Sequence, residues 1–193
     1  MNDNGQRSDI QLINAYLKGD EKSFEELYFR YRKPLYGYLN NMLMGNQSEA
    51  DEVFSETWTR VIDKLPKYRD DGKFSAWLFR MAKNIFIDRL RRSHPERFVA
   101  IDDENMAELP DDNAFSPERE LGASDTGKAI MTAINQLPKE QKEVFMLREQ
   151  ELSFKDIAQI QQCSLNTVLS RMRYALQTVR NYLSEFDRGG LIR

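Results

Sequence analysis

A short segment near the carboxyl end of the sequence carries side chains of the types that proteins use to contact duplex DNA. Between Asn166 and Arg180 it holds three arginines and no acidic residue. Arginine pairs with phosphate and with the edge of guanine, while amide and hydroxyl side chains bond to base edges or to the backbone. The candidate DNA contacts in this segment and in the turn before it are Ser164, Asn166, Thr167, Leu169, Ser170, Arg171, Arg173 and Tyr174.

Two helices separated by a tight turn are predicted to position these side chains. Ser153 and Asp156 form a capping pair that predicts the start of the first helix, and a turn follows at 162–164. In a helix-turn-helix, the first turns of the second helix enter the major groove. An ordinary helical hairpin with solvated arginines is the alternative, and the absence of acids on the second helix favours DNA binding. Cys163, in the turn, is expected to be a small buried hydrophobe. The apolar stripe of the second helix is Val168, Met172, Ala175, Leu176 and Val179.

A second segment alternates aromatic and basic residues. From Arg69 to Arg92, seven cationic residues stand against three acidic ones. Exposed rings beside positive charge stack on single-stranded bases, at about 1–3 kcal/mol per base. Since four rings of this segment cannot share one helix face, at least one is expected near the surface. The alternative is that Trp77 and Leu78 are core residues and that three arginines only favour the carboxyl end of the helix; these are Arg89, Arg91 and Arg92. The candidate contacts are Arg69, Lys73, Phe74, Trp77, Arg80, Lys83, Asn84, Arg91 and Arg92; the four rings are Phe74, Trp77, Phe79 and Phe86.

A third segment is acidic, with Glu49, Asp51, Glu52 and Glu56 on one predicted helix. Paired carboxylates could hold a metal or act in acid and base catalysis. The chain has one histidine and one cysteine, however, and no glycine-rich phosphate loop accompanies the acids. We therefore expect no metal, no cofactor and no enzymatic activity. A docking face for a basic partner is favoured over a merely solvated face.

The helical spacing of apolar residues along the chain predicts an all-α fold of two small helical domains joined by an acidic linker. We place a four-helix domain at 1–93, the linker at 94–124, a helix-turn-helix domain at 125–186 and a tail at 187–193. The third helix is predicted to open at Ser48, with Asp51 as its capping partner. From 95 to 126, ten acids stand against two arginines. No run of about 18 apolar residues occurs, so membrane insertion is not expected and the cytoplasm is the expected location.

Two blocks of the sequence resemble a known family. ADEVFSETW, from Ala50 to Trp58, followed by FSAWLFRMAKNIFIDRLRR, resembles region 2 of the extracytoplasmic-function group of the sigma-70 family. The segment LPKEQKEVFMLREQELSFKDIAQIQQCSLNTVLSRMRYA, from Leu137 to Ala175, resembles region 4 of the same group. The resemblance implies an initiation factor that directs promoter recognition, DNA melting and transcription initiation.

The resemblance also implies partners and sites. The partners would be promoter DNA and core RNA polymerase, through its β′ coiled coil and its β subunit, and any control by an anti-sigma factor would act on the two domains themselves. The loop 69–74 and the helix after it would capture the −10 element, and the helix from Asn166 to Tyr174 would read the −35 element. The linker would thread near the RNA exit path. The surface that docks on the β′ coiled coil would carry Asp51, Glu52, Ser55, Glu56 and Trp58.

The sequence departs from the common pattern of that group at several positions. Leu169 stands where a basic residue is usual, and Tyr174 where arginine is frequent. One or two phosphate contacts would thereby be weakened or replaced by apolar contact with a base. Glu52 and Ser55 stand where aspartate and glutamine are frequent, which keeps one acid.

Two other functional classes remain as alternatives. A free-standing helix-turn-helix regulator would bind duplex DNA without polymerase, and a helical enzyme would use the carboxylates between Glu49 and Glu56. The aromatic and basic segment at 73–92 counts against the first, because it is typical of strand opening. Missing metal ligands and nucleophile-base pairs count against the second.

Overall fold

The computed structural model describes residues 7–43, 45–69, 73–93 and 125–188. Within these ranges all regular secondary structure is helical, which confirms the predicted all-α fold. The chain divides into two compact units, Met1–Asp112 and Asn113–Arg193. The predicted linker, with His94, lies outside the described residues. None of the described helices has the length and apolar character needed to cross a membrane.

The described part of the first unit contains four α-helices. They are α1 (Asp9–Leu17), α2 (Glu21–Met42), α3 (Gln47–Lys64) and α4 (Phe74–Ser93), with a short 3-10 turn at Leu65–Lys67 after α3. Apolar faces of these helices meet in a core whose fully buried members include Leu27, Leu35, Leu39, Val53, Val61, Leu78, Phe79 and Ile85. Burying such side chains supplies most of the free energy that holds helices of this length together.

The start of α3 differs from the sequence prediction. Its N-cap is Asn46, whose side-chain oxygen accepts a hydrogen bond from the backbone N–H of Glu49 at 3.3 Å. Ser48 already lies in the first helical turn, so the predicted pairing of Ser48 with Asp51 is wrong. Asparagine caps a helix as well as serine does, and the sequence offered both residues within three positions.

The short helix α1 is held on α2 by a partly buried polar cluster. Asp9 accepts hydrogen bonds from the guanidinium of Arg30 at 2.6 Å and from the hydroxyl of Tyr31 at 2.5 Å. Burial, and then the bond to the Asp9 carboxylate, raises the pKa of Tyr31 well above its ordinary value. The phenol therefore stays protonated and continues to donate to Asp9 across the physiological pH range.

Over residues 125–188 the second unit contains four helices: α5 (Asp125–Asn135), α6 (Lys139–Glu149), α7 (Phe154–Gln161) and α8 (Leu165–Arg188). Ser153 caps α7, as predicted, by accepting from the backbone N–H of Asp156 at 3.2 Å. Gln162 ends α7 in the left-handed conformation, with φ of 54°. The helix α8 runs to Arg188, two residues beyond the predicted end of the domain at 186, and the division into domain and tail stays a prediction.

Two predicted core residues of the second unit lie nearer the surface than expected. Leu176 belongs to the predicted apolar stripe of α8 but is 46% exposed, and Cys163, which the sequence predicts to be buried, is only half-buried. Among the described side chains of α8, Val168 and Ala175 are fully buried. The buried stripe is therefore narrower than the apolar pattern, and α8 carries more apolar side chains than its core contact uses.

Candidate nucleic-acid interface

The first three turns of α8 present a mixed polar and apolar face to solvent. Asn166 and Arg173 are exposed, Leu169 is 42% exposed and Tyr174 is 49% exposed. The guanidinium of Arg173 lies over the ring of Tyr174, at 5.0 Å from its centre, and the two side chains also approach as donor and hydroxyl at 3.4 Å. The pair keeps one positive charge at the surface beside a flat aromatic ring.

Two of the predicted contact residues also form the cap of this helix. The hydroxyl of Ser164 accepts from the backbone N–H of Thr167 at 3.1 Å, and the two hydroxyl oxygens are 2.8 Å apart. Ser164 thus satisfies one of the N–H groups that a helix leaves open at its start. The backbone at the start of α8 is held in place before any ligand binds.

The side chain of Arg171 points toward the end of α7 and the turn before α8, unlike the exposed predicted contacts on α8. Its Nη1 donates to the side-chain oxygen of Gln161 at 3.0 Å and lies 3.4 Å from the sulfur of Cys163. The amide nitrogen of Gln161 donates in turn to the carbonyl of Glu140 at 3.0 Å and to the carboxylate of Glu143 at 2.9 Å. Because both amide hydrogens point at acceptors, the amide oxygen must face Arg171.

Gln161 therefore joins α6, α7 and α8 through one side chain. Glu143 is 3% exposed, so the carboxylate that Gln161 contacts is buried. Sequence reasoning selected Arg171 but missed Gln161 and Glu143. The only available signal was that Gln161 stands at the end of a helix just before the turn, and this position does not reveal which way the amide points.

The aromatic segment of α4 is mostly buried. Phe74, Phe79 and Phe86 are at most 2% exposed, whereas Trp77 is half-buried against Tyr68 and Phe74, with ring centres at 4.9 and 5.6 Å. One ring of the four thus stays near the surface, as expected. Phe74, which was among the candidate DNA contacts, is not that ring, because it is buried against Tyr31 and Tyr68.

The cationic side chains of α4 and of the preceding loop separate into two groups. Lys83 is 8% exposed, and Arg80 is half-buried. The other predicted cationic contacts are at the surface, as is the amide Asn84; these cations are Arg69, Lys73, Arg91 and Arg92. Residues 70–72 of the loop lie outside the described part of the chain. The exposed positive charge of α4 therefore concentrates at its carboxyl end, where it also complements the helix dipole.

The acidic side chains of α3 lie at the surface beside a cation of α4. Arg89 contacts the carboxylates of both Glu52 and Glu56, the second at 3.1 Å. Arg60, one turn after Glu56 on α3, binds the other oxygen of that carboxylate at 2.6 Å. Sequence reasoning missed this use of Arg89, since Glu52 and Arg89 are 37 residues apart in the chain. Asp51 accepts from the hydroxyl of Tyr36 at 2.8 Å, and Ser55 is exposed.

Trp58 lies in the interior and not on the acidic face of α3. It is 5% exposed, and its ring contacts Phe24, Tyr28 and Phe54 at centre distances of 5.8, 4.9 and 6.4 Å. The expectation that this side chain lies on a docking surface is therefore wrong. Trp58 is a residue of α3 itself, so its packing against these rings helps to fix the helix that carries the acids.

Both halves of the sequence match known protein families. Residues 27–95 match sigma-70 region 2, and residues 127–179 match sigma-70 region 4. The extracytoplasmic-function sigma-E factor of Haemophilus influenzae is 31% identical over 184 residues, which cover 91% of this chain and 95% of that protein. The sigma-H factor of Pseudomonas aeruginosa is 32% identical over 183 residues, which cover 90% and 93%. This chain belongs to the extracytoplasmic-function group of the sigma-70 family.

The family membership gives the general function. The protein is an RNA polymerase sigma factor and acts in promoter-directed transcription initiation. Among solved structures, the fold is similar to that of the sigma factor RpoE from Bartonella quintana in its complex with the anti-sigma factor NepR. The TM-score is 0.61 at 21% identity, with 84% of this chain and 98% of that chain covered.

A groove in region 2 of this sigma factor was not anticipated from its sequence. It has a volume of about 650 Å³, and its most exposed ring belongs to Phe29, which is 57% exposed. Phe29 lies outside the apolar stripe of α2, and this is the signal that could have pointed to it. The groove extends the acidic face of α3 toward α2, because Asp51 is one of its lining residues. The lining residues are Tyr28, Phe29, Arg32, Lys33, Tyr36, Gly37, Asp51 and Phe54.

The contacts of Gln161 lead to a stability prediction for region 4 of the sigma factor. Gln161→Met removes both donors to Glu140 and Glu143 and the acceptor for Arg171, and should lower the free energy of unfolding of the second unit by about 1–3 kcal/mol. Urea denaturation of the whole chain, followed by a probe in the second unit, measures this loss. Gln177→Met, at an exposed position of α8, is the matched control and should be neutral. Equal stability of both variants would contradict the role of Gln161.

Proposed function

We propose that the two regions of this sigma factor divide three tasks among three helices. The acidic face of α3 docks on core polymerase, the basic end of α4 with Trp77 opens the −10 element, and α8 reads the −35 element in duplex DNA. The observation that carries the proposal is the outward face of α8. Over residues 165–184 this helix has no acidic residue, and its first three turns present Asn166, Leu169 and Arg173 together.

The docking step rests on charge. Glu52 and Asp51 are exposed, and Glu56 beside them is only half-buried, so a basic helical partner finds three carboxylates within two turns of α3. The β′ coiled coil of core polymerase is the proposed partner. Arg89 competes for two of these carboxylates, and docking must either displace it or add further positive charge around it. Charge complementarity of this type governs association rate and specificity.

The opening step rests on the neighbourhood of Trp77. A half-buried ring is accessible for stacking on an unpaired base, and an exposed asparagine and two arginines, Asn84, Arg91 and Arg92, lie farther along the same helix. A base that is flipped out of the duplex needs such a stacking surface, together with phosphate contacts on either side. Lys83 and Phe74 would contribute by supporting this surface from the core.

The proposal also covers how this sigma factor is regulated and where in the cell it acts. The solved complex from Bartonella quintana pairs a sigma factor with an anti-sigma factor, and we extend this kind of control to the present chain. The proposed place of action is the cytoplasm, where core polymerase is found, and the proposed activity is initiation without catalysis by the sigma factor itself. The acidic segment 94–124 would lie near the RNA exit path as a charge mimic of nucleic acid.

Run-off transcription tests the proposal directly. The purified chain is added to core polymerase that lacks any sigma factor, together with a library of promoter fragments. A sigma factor yields specific transcripts, whereas a free-standing DNA-binding regulator would bind fragments without any transcript. An enzyme acting through the α3 carboxylates would do neither. Absence of specific transcripts with active core polymerase would refute the proposed division of tasks.

The basic end of α4 leads to a second prediction. The double change of Arg91→Ala and Arg92→Ala should slow promoter opening and reduce the salt dependence of open-complex formation by about one to two ions. Permanganate reactivity of thymines in the −10 element, measured against time and salt, follows both effects. The matched control is the double change of Lys64→Ala and Lys67→Ala, which removes two exposed cations elsewhere in region 2. An equal effect of both pairs would mean that α4 has no special part in opening.

A further inference from the structure

Leu169 occupies the centre of the outward face of α8. Residues three and four apart share one face of a helix, so Asn166, Leu169 and Arg173 lie in line along it. Leu169 is 42% exposed, and Leu165, one turn before it, is 38% exposed. Single exposed leucines are common on protein surfaces and need no explanation by themselves. The informative feature is that this leucine stands between an amide and a guanidinium.

The neighbours of Leu169 limit what it can contact. Asn166 and Arg173 are both exposed and suit base edges and phosphates. Arg171, two residues after Leu169, is bonded through Nη1 to Gln161 and Cys163 at the end of α7 and in the turn. With α8 in the major groove, as proposed above, the side chain that faces the bases between Asn166 and Arg173 is the apolar Leu169.

The major groove offers an apolar side chain one characteristic partner. Among the four bases, thymine alone carries a methyl group there, at C5, beside the hydrogen-bond donors and acceptors of the base edges. We propose that Leu169, with Leu165 beside it, reads the 5-methyl group of thymine in the duplex that α8 binds. This inference rests on the proposed function and specifies the base chemistry that the helix selects.

The expected size of the effect comes from the burial of one methyl group. Removing that group from the DNA should weaken binding about fourfold at each thymine in contact with Leu169. Deoxyuridine is the suitable probe, because it pairs as thymine does and differs only in lacking the methyl group. The loss of affinity caused by deoxyuridine should disappear in Leu169→Ala, since the alanine side chain is too short to contact the methyl group.

The experiment uses the full chain assembled with core polymerase. Sites are first selected from a random duplex library, and each thymine of the −35 half is then replaced in turn by deoxyuridine. With the unaltered protein, one or two replacements should weaken binding about fourfold. With Leu169→Ala the same replacements should have no effect. Leu176→Ala, at an equally exposed leucine two turns along α8, is the matched control and should keep the discrimination.

Failure of this inference can be told apart from failure of the proposed function. Selected sites without thymine in the −35 half, or equal binding of thymine and deoxyuridine, would overturn methyl reading while specific transcripts keep the proposed function intact. If Leu169→Ala still distinguishes thymine from deoxyuridine, another residue contacts the methyl group, and the proposed role of Leu169 is overturned. A holoenzyme that selects no site and gives no transcript would remove both proposals.

Discussion

Changing Glu52→Lys together with Glu56→Lys is expected to lower the affinity of the sigma factor for core polymerase at least about tenfold. Two attractive charges on α3 become repulsive toward a basic partner, and the new lysines also face Arg89 and Arg60. Co-purification with core polymerase, and a titration of run-off transcription with the variant, measure the loss. Far-ultraviolet circular dichroism should show unchanged helical content.

Because Glu52 and Glu56 also pair with Arg89, a variant that only neutralises them should be compared with the charge reversal. Glu52→Gln with Glu56→Gln removes the attraction without adding repulsion, so its effect should lie between those of the unaltered protein and the lysine variant. Glu21 and Glu25 offer a matched control, since they are exposed on α2 and also one turn apart. With lysines at those two positions, the affinity for core polymerase should stay within about twofold of that of the unaltered protein. If both lysine variants bind core polymerase normally, α3 is not the docking face.

Trp58→Ala is expected to destabilise the first unit by about 3–5 kcal/mol, the usual cost of removing a large buried aromatic ring. The ring packs against Phe24, Tyr28 and Phe54, and the surrounding helices cannot close the resulting cavity completely. Urea denaturation, followed by circular dichroism, gives the free energy of unfolding. A loss of this size approaches the whole stability of many small domains. The variant should therefore be partly unfolded at 37 °C.

Two further variants separate packing from docking at this position. Within the described residues the indole nitrogen of Trp58 is buried without a hydrogen-bond acceptor, so Trp58→Phe removes an unsatisfied group as well as part of the ring. Its cost should be clearly smaller than that of alanine. Trp77→Ala, at a half-buried ring of α4, should also cost less stability. A stable Trp58→Ala protein that fails to bind polymerase would instead place the ring on the docking surface.

The charge-reversal variant of α3 and Trp58→Ala should lose transcription for different reasons. The charge reversal on α3 removes a partner from a folded protein, and the loss of Trp58 removes the fold that presents the charges. Added core polymerase at high concentration should partly rescue the first variant, because binding is an equilibrium. The same addition should stabilise the second only to the extent that polymerase selects its folded fraction.

Local interactions account for what the sequence could predict. The positions of the helices could be predicted because they depend on residues within four positions of one another, and the apolar spacing indicates them directly. The Ser153 cap and the turn before α8 are local in the same way. The acidic and basic segments are likewise visible in the sequence, and so are the two blocks that resemble regions 2 and 4. These features were sufficient for the all-α fold and for the family.

The directions of individual side chains depended on which helix faces meet, and no local pattern carries that information. Trp58 and Phe74 belong to segments that suggested surface contacts, yet both rings are buried because neighbouring helices close over them. Arg89 joins Glu52 across 37 residues of chain, and Arg171 turns toward Gln161 on the preceding helix. Amino-acid order alone determined the helices and their charges, whereas tertiary packing decided which of those charges and rings remain available to polymerase and DNA.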